Sequence, residues 1–194
     1  MIKEDIRAFF DALAPTWDDA LVRNEPVIEK ILDNARISDG QKILDVACGT
    51  GVLVGDYLTR GAAQVTGIDL SPNMIEQAQK KFCDARVRLV CGDVETAGFG
   101  AEFDCVMVYN AFPHFPDPKR LIDVLCGYLK TGGVLSIAHG MSREQLERHH
   151  AGSARNVSLG LMEAEQLQKL LEPAFEVTTC ISDDTMYQVA GVKR

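Results

Sequence analysis

A glycine turn and two carboxylates each follow an apolar run in the first half of the chain. Gly49 and Gly51 permit a tight turn that brings the backbone close to a ligand, because neither carries a Cβ atom. Asp69 ends the next apolar run, where a carboxylate can accept hydrogen bonds from both hydroxyls of a ribose. Asp93 ends a third run, where it can accept from an exocyclic amine such as that of adenine, with Val94 against the ring. The structural alternatives are an acid that caps the following helix for Asp69 and a turn residue for Asp93.

The elements that would position these residues alternate between strand and helix. Strands are predicted at about 42–46, 64–69, 87–90, 103–109, 134–138, 175–182 and 186–192. Helices at about 52–60, 72–82 and 118–129 connect the first five strands, an order that predicts a parallel sheet covered on both faces. Ligands of such sheets bind beyond the carboxyl ends of the strands. The segments predicted at that edge are Cys48–Gly51, Asp69–Leu70, Asp93–Val94, Asn110–His114 and His139–Gly140.

Composition describes an ordinary globular domain, with 194 residues of which 46% are hydrophobic and 25% are charged. We expect a single domain over 1–194 that begins with a helical lid segment, 1–36. The formal net charge of −8 argues against nucleic acid as a partner. The sequence shows neither the apolar core of a signal peptide nor an apolar run of the roughly 18 residues that span a bilayer. We therefore expect a cytoplasmic protein without membrane insertion, whose six cysteines are reduced thiols.

The ensemble of motifs resembles the class I S-adenosylmethionine-dependent methyltransferases over about 37–193. The residues that carry the resemblance are Leu44–Gly51, Gly67–Ser71, Met74, Gly92–Glu95, Phe103–Asp104 and Leu129–Gly133. Within the family the chain looks most like small-molecule enzymes of the ubiquinone/menaquinone methyltransferase type, which also carry an N-terminal aromatic–Asp pair, here Trp17–Asp18. The resemblance implies an α/β fold: a doubly wound, Rossmann-like sheet of seven strands in the order 3-2-1-4-5-7-6, with the last strand antiparallel.

The resemblance also implies S-adenosylmethionine as methyl donor and a small molecule, methylated at oxygen, carbon or sulfur, as acceptor. Asp45 and the glycine turn would contact the methionine part, Asp69 the ribose, and Asp93 with Val94 the adenine. The cofactor-binding residues implied in this way are Asp45, Ala47, Cys48, Gly49, Gly51, Asp69, Leu70, Met74, Asp93, Val94 and Asn110. Many relatives carry Gly where Ala47 stands, so the extra methyl group narrows the approach of the backbone to its ligand.

Two other functions compete with methyl transfer. An NAD-linked oxidoreductase would carry Gly-x-Gly-x-x-Gly, but Val54 occupies the third glycine position. A protein that binds S-adenosylmethionine as a sensor would keep the cofactor site without transferring the methyl group. Calorimetry with S-adenosylmethionine, S-adenosylhomocysteine and NAD distinguishes a methyltransferase from an NAD-linked oxidoreductase. Tight binding of S-adenosylmethionine without any methylated product would identify a sensor.

Candidate catalytic residues are three of the histidines: His139 after the fifth strand, His114 after the fourth, and His149 at the end of the next helix. Each could act as a general base or orient the acceptor. The structural alternatives are packing under a helix for His114 and a favourable charge at a helix C-terminus for His149. A divalent metal held by His139, His149 and another histidine is a further hypothesis, although the spacing of the histidines does not support it.

The N-terminal segment is the candidate cover of the acceptor pocket. Phe9, Phe10 and Trp17 supply its aromatic side chains, and simple packing on the core is the alternative role for them. The sequence is also compatible with a homodimer, and it does not identify the acceptor.

Overall fold

A computed structural model describes residues 2–150 and 157–194, except for the side chains at 149 and 150. Within these residues seven strands form one sheet. They are β1 (Lys42–Val46), β2 (Gln64–Asp69), β3 (Val87–Cys91), β4 (Phe103–Tyr109), β5 (Leu129–His139), β6 (Phe175–Ser182) and β7 (Tyr187–Lys193). The helices are α1 (Lys3–Leu13), α2 (Glu25–Asn34), α3 (Val54–Thr59), α4 (Pro72–Lys81), α5 (Pro118–Tyr128), α6 (Arg143–His150) and α7 (Ala164–Leu171).

The strand order is β3-β2-β1-β4-β5-β7-β6, as predicted. The first five strands pair in parallel, and β7 runs antiparallel to both of its neighbours, β5 and β6. From β1 the chain adds β2 and β3 towards one edge of the sheet, and it then returns to add β4 and β5 on the other side of β1. The switch point therefore lies between β1 and β4. In an open α/β sheet this switch point is where a crevice forms beyond the carboxyl ends of the strands.

Each strand of the sheet centre divides its side chains between two cores, because successive residues point to opposite faces. In β1, Leu44 and Val46 join α5 and α7 in one core, whereas Ile43 joins α2 and α3 in the other. All three side chains are fully buried. Burial on both faces explains why these strands read as continuous apolar runs in the sequence.

Side-chain caps fix where the helices that follow β2, β4 and β5 begin. The Ser71 hydroxyl accepts the backbone N–H of Met74 at 3.0 Å, and Asp117 accepts that of Arg120 at the same distance. Ser142 and Gln145 form the reciprocal capping box that their spacing predicts. These caps set the direction in which the loops after β2, β4 and β5 leave the sheet.

The N-terminal segment, here residues 3–20, lies outside the two main cores, whereas α2, which belonged to the predicted lid segment 1–36, packs into one of them. The segment consists of α1 and two short 3₁₀ turns, 14–16 and 18–20. Its own small cluster joins Ile6 with Val157, and Phe9 and Phe10 pack against it. Because this cluster is small, the position of the segment depends strongly on polar contacts to the rest of the chain.

Two boundaries differ from the sequence prediction by two residues or more. β5 begins at Leu129 rather than near 134. Phe103 pairs with Leu129 and pairing resumes only at Val134, so Gly132 and Gly133 lie in a bulge of the strand. α3 begins at Val54 rather than 52, since the glycine turn uses two more residues before the helix starts. Among the described residues no helix has the length and apolar character needed to cross a membrane.

Candidate active site

The turn between β1 and α3 adopts the strained geometry that its glycines predict. Gly49 and Gly51 have φ angles of +55° and +82°, and a Cβ atom on Gly51 would lie 2.7 Å from the Phe82 ring. Ala47 also lies in the left-handed region, at φ +53°, although it carries a Cβ atom. Such strain in a non-glycine residue is typical of binding sites, where the surrounding structure holds it in place.

The Asp69 carboxylate connects the turns that follow β1 and β2. One oxygen accepts the backbone N–H of Gly49 and the other that of Ser71, each at 2.8 Å. Burial raises the pKa of Asp69, and the nearby Asp11 carboxylate adds to the effect. A carboxylate oxygen has two lone pairs, so each oxygen can accept one further hydrogen bond from a ligand.

Asp45 lies on β1 behind the turn and is only 3% exposed. In the described part of the chain its carboxyl oxygens accept no hydrogen bond. Burial, with a smaller contribution from the Asp69 carboxylate, raises the pKa of Asp45 to about 8. A buried carboxyl group of this kind is poised to receive a cation or a hydrogen-bond donor from a ligand.

The Asp93 carboxylate, after β3, is engaged by the N-terminal segment. Lys3 Nζ lies 2.5 Å from Asp93 Oδ2 and also contacts Glu95, whose other oxygen lies 3.4 Å from Arg120 Nε. The Asp93 side chain also accepts the backbone N–H of Glu95 at 3.0 Å. Lys3 is a site residue that the sequence analysis missed.

Further polar contacts hold the N-terminal segment over the same edge of the sheet. Asp11 accepts the Ser71 hydroxyl at 2.5 Å, and Asp18 accepts the Thr50 hydroxyl at the same distance. Arg23 donates to Asp56 at 2.8 Å. The segment is therefore fastened to the turns that follow the first three strands, as a lid would be.

A cavity of about 540 Å³ lies between this segment and the carboxyl ends of the strands. It is lined by all of the predicted cofactor-binding residues except Gly51, whose role is confined to the shape of the turn. The predicted residues in its wall are Asp45, Ala47, Cys48, Gly49, Asp69, Leu70, Met74, Asp93, Val94 and Asn110. The remaining wall is mostly apolar and comes from the N-terminal segment and the loops after β4 and β5.

The structure separates the three candidate histidines. His114 lines the cavity, with its Nδ1 atom 2.6 Å from the carbonyl oxygen of Val157 and its ring 5.0 Å from that of Phe10. Burial lowers the pKa of His114, so the ring is neutral at pH 7. Nδ1 must carry the proton, because a carbonyl oxygen can only accept.

His139, by contrast, is fully buried and is absent from the cavity wall. β5 continues through His139, so this residue belongs to the sheet rather than to the loop beyond it. Its ring packs edge-on against that of Tyr187, with ring centroids 6.1 Å apart. This geometry does not support the expected base at His139. The side chain of His149 lies outside the described residues.

The described residues contain no group of three or more His, Cys, Asp or Glu side chains able to hold a metal ion. The hypothesis of a metal between His139 and His149 therefore has no geometric support, and part of it falls on a side chain that the structure does not describe. Besides carboxylates, backbone amides and the His114 imidazole, the cavity wall contains polar side chains of other kinds, which are Lys3, Arg7, Arg23, Cys48, Ser71, Tyr109 and Asn110.

Comparison with known proteins identifies the fold and the motifs. Residues 43–133 match a family described as a methyltransferase domain. The chain is 31% identical over 139 residues to a malonyl-[acyl-carrier protein] O-methyltransferase of Acetivibrio thermocellus, which covers 70% of this chain and 49% of that protein. It is 30% identical over 141 residues to a ubiquinone biosynthesis O-methyltransferase of Coxiella burnetii, which covers 69% of this chain and 60% of that protein.

These alignments mean that the chain spans about half to three fifths of the length of the curated relatives it matches. A Haloferax volcanii chain solved in complex with the Trm112 methyltransferase activator superposes with a TM-score of 0.77 at 19% identity, covering 96% of each chain. At that identity the superposition supports the Rossmann-like methyltransferase fold and not a particular acceptor.

Proposed function

We propose that this chain, a member of the class I S-adenosylmethionine-dependent methyltransferases, transfers a methyl group from S-adenosylmethionine to a small-molecule acceptor. The observation that carries the proposal is a single cavity at the carboxyl ends of the strands whose wall holds three carboxylates and many apolar side chains. Asp45, Asp69 and Asp93 come from β1, β2 and the loop after β3, on one side of the switch point, whereas the loops after β4 and β5 on the other side contribute mainly apolar side chains. The carboxylates fit a cofactor rich in hydrogen-bond donors, and the apolar side chains fit a small organic acceptor.

The adenosyl part of the cofactor would occupy the end formed by β2 and β3. Asp69 would accept from the ribose hydroxyls through the lone pairs that the backbone amides leave available. Asp93 would accept from the adenine amine, and Val94 would pack on the ring. Because Lys3 holds Asp93 in the free protein, adenine binding would shift Lys3 towards Glu95, which it already contacts.

The methionine part would lie over the glycine turn. Asp45, which is buried on the strand that leads into that turn, would receive the ammonium group, which offsets the cost of its burial. Asn110 has a φ angle of +55°, and its side-chain oxygen accepts the backbone N–H of Gly140 at 2.9 Å. That bond would hold Asn110 at the methionine side.

When bound, the cofactor supplies a methyl group activated by its sulfonium. The protein then has to align an acceptor with that methyl group and keep water away. The lid contributes Phe10 and Trp17, whose ring centroids lie 5.8 Å apart, and His114 contacts Phe10 from the β4 loop. His114 is the histidine that we assign to the acceptor, either as base or as orienting group.

A cytoplasmic location is part of the proposal. All six cysteines are free thiols, as is usual in reducing compartments. The absence of nucleic-acid partners stays a prediction from the net charge, and a homodimer stays compatible with the sequence.

The experiment that tests the proposal is transfer of labelled methyl groups into fractionated extract of the source organism. We expect label in a low-molecular-weight organic fraction, and loss of that transfer in Asp69→Asn. Label in protein or nucleic acid instead would contradict the small-molecule acceptor. Binding of S-adenosylmethionine with no labelled product in any fraction would support the sensor alternative.

A further inference from the structure

Lys3 connects the N-terminal segment to the loop that follows β3. Its Nζ atom lies 2.5 Å from Asp93 Oδ2 and also contacts the Glu95 carboxylate. The side chains of Lys3 and Asp93 are 33% and 21% exposed, so this ion pair is partly shielded from solvent. Lys3, Asp93 and Val94 all line the cavity. The ion pair therefore belongs to the part of the wall where the proposed function places adenine.

Both oxygens of the Asp93 carboxylate have a protein donor in the free protein. Oδ1 accepts the backbone N–H of Glu95 at 3.0 Å, and Oδ2 accepts from Lys3. The adenine amine is a hydrogen-bond donor, and the Lys3 ammonium is a donor without any lone pair, so the amine gains no bond from Lys3. An amine at Asp93 beside Lys3 would set two positive donors side by side, and their repulsion weakens the hold of the carboxylate on each.

Glu95 gives Lys3 a second partner that it keeps when it leaves Asp93. The Glu95 side chain is only 4% exposed, and Lys3 contacts one of its oxygens. The other oxygen lies 3.4 Å from Nε of Arg120, a side chain that is 60% exposed. A buried carboxylate is costly without a close cation, so Glu95 retains Lys3. Displacement of Lys3 from Asp93 therefore breaks one of its two ion pairs and leaves α1 fastened by the other.

Other polar contacts of the lid leave the carboxylates that we assign to the cofactor untouched. Asp18 pairs with Lys81 at 2.7 Å, and Asp11 accepts the Ser71 hydroxyl at 2.5 Å. Neither contact involves a carboxylate of the proposed cofactor site. Over residues 2–150 and 157–194, Lys3 is the lid residue whose partner is also the partner proposed for adenine.

Resting on the proposed function, we propose that Lys3 is a built-in competitor of the adenine amine, which makes the closed lid of the free protein an autoinhibited state of the cofactor site. Cofactor binding transfers Asp93 from Lys3 to adenine and leaves Lys3 on Glu95. The exchange takes place between partly exposed groups, where an ion pair has a modest effect. Lys3 therefore lowers the affinity for the cofactor by a small factor, about two- to fivefold.

Lys3→Met tests the competition, because methionine keeps most of the length of the side chain and removes its charge. Titration calorimetry should show S-adenosylhomocysteine binding about two- to fivefold more tightly than to the wild type. Lys81→Met is the matched control, since the same substitution breaks the contact with Asp18 and leaves Asp93 untouched. Its affinity should equal that of the wild type. Unchanged or weaker binding in Lys3→Met, or an equal gain in both variants, overturns the proposal.

A ligand with the opposite hydrogen-bonding groups ties the effect to the amine. S-inosylhomocysteine carries a carbonyl oxygen in place of the adenine amine and an N–H group beside it. Lys3 can donate to that oxygen while Asp93 accepts the N–H, so Lys3 assists this ligand. Lys3→Met should therefore bind S-inosylhomocysteine more weakly than the wild type does, by about two- to fivefold. A gain in affinity for both ligands would show that Lys3 does not oppose the amine and would overturn the proposal.

Ionic strength provides an independent measurement of the same competition. The gain of Lys3→Met for S-adenosylhomocysteine should shrink between about 50 mM and about 500 mM NaCl, because salt screens the partly exposed ion pair of the wild type. A gain of the same size at both salt concentrations would contradict an ionic competition. Failure of the wild type to bind S-adenosylhomocysteine at either concentration would refute the proposed function itself, whereas wild-type binding without a gain in Lys3→Met refutes the competition alone.

Discussion

Asp45 links cofactor binding to the uptake and release of a proton. Its carboxyl group is buried, accepts no hydrogen bond within the described residues, and has a pKa raised to about 8 by burial and the nearby Asp69. In the free protein at pH 7 the group is therefore mostly protonated. A cofactor ammonium placed beside it favours the ionised form and lowers its pKa. Binding of S-adenosylhomocysteine must then release a proton.

The size of the effect follows from the pKa of the free protein. With a pKa of about 8, roughly one molecule in ten carries the carboxylate at pH 7, so binding releases about 0.9 proton. Between pH 6 and pH 7 the affinity should rise about tenfold, which is about 1.4 kcal/mol. Asp45→Asn removes the titrating group and should abolish this dependence.

The same group affects the stability of the free protein with a defined sign. A raised pKa means that the folded state binds more protons than the unfolded state. The contribution of Asp45 is fully present below its ordinary pKa of 3.8 and is lost as the pH rises through about 8. Stability of the wild type should therefore fall between pH 6 and pH 7 by about 1.3 kcal/mol more than that of Asp45→Asn, and less steeply as the pH approaches 8.

Titration calorimetry in phosphate and in Tris at one pH gives the number of protons released, because the two buffers differ in ionisation enthalpy. Thermal unfolding of both proteins across the same pH range gives the stability difference. Proton release that is the same in Asp45→Asn as in the wild type would refute the assignment of the ammonium to Asp45, and so would a wild-type affinity that is flat from pH 6 to pH 7.

Three further substitutions test other parts of the site. Asp69→Asn should weaken binding of S-adenosylhomocysteine by about 1.5–3 kcal/mol through loss of charged hydrogen bonds, and an unchanged affinity in calorimetry would contradict the ribose assignment. Lys3→Met should speed both association and dissociation of that ligand in stopped-flow measurements, because it removes one fastening of the lid; Lys80→Met, which breaks an exposed pair with Glu76, is the control. Ala47→Gly should raise the thermal unfolding temperature by relieving a φ angle of +53°, a gain of up to about 1 kcal/mol, and a lower temperature would show that the strain is absent.

The sheet and the acidic end of the cavity could be predicted from the sequence for a simple geometric reason. Carboxyl ends of parallel strands meet at one edge, so Asp69 and Asp93 were certain to be neighbours once their strands were recognised. The glycine turn was equally readable, because few residues other than glycine adopt its φ angles.

The contacts of the lid and the positions of the histidines were much less readable. Lys3 pairs with Asp93 across 90 positions of sequence, and no local pattern reports a contact of that range. His139 was a candidate because a strand that ended at 138 would leave it in the loop beyond the sheet, whereas β5 continues through His139 and buries its side chain, which the sequence does not show. His114 was found, yet its lowered pKa depends on burial, which only the fold supplies.

The position of the lid was also hard to predict from the sequence. Its apolar periodicity predicted α1, but its position depends on Asp11, Asp18 and Arg23, whose partners lie far along the chain. Charged surface residues are usually free to find several partners, so their pairing is weakly encoded. The sequence therefore predicts that a lid exists more reliably than it predicts where the lid is fastened.

The central claim is that an adenosyl cofactor lies in the cavity with its sulfur directed at the lid, and a crystal structure with S-adenosylhomocysteine tests it most directly. We predict ribose hydroxyls within hydrogen-bond distance of Asp69, adenine against Val94 with its amine at Asp93, and the thioether sulfur facing Trp17 and His114. A ligand seated in another groove, or one with its adenine among the lid aromatics, would contradict the account.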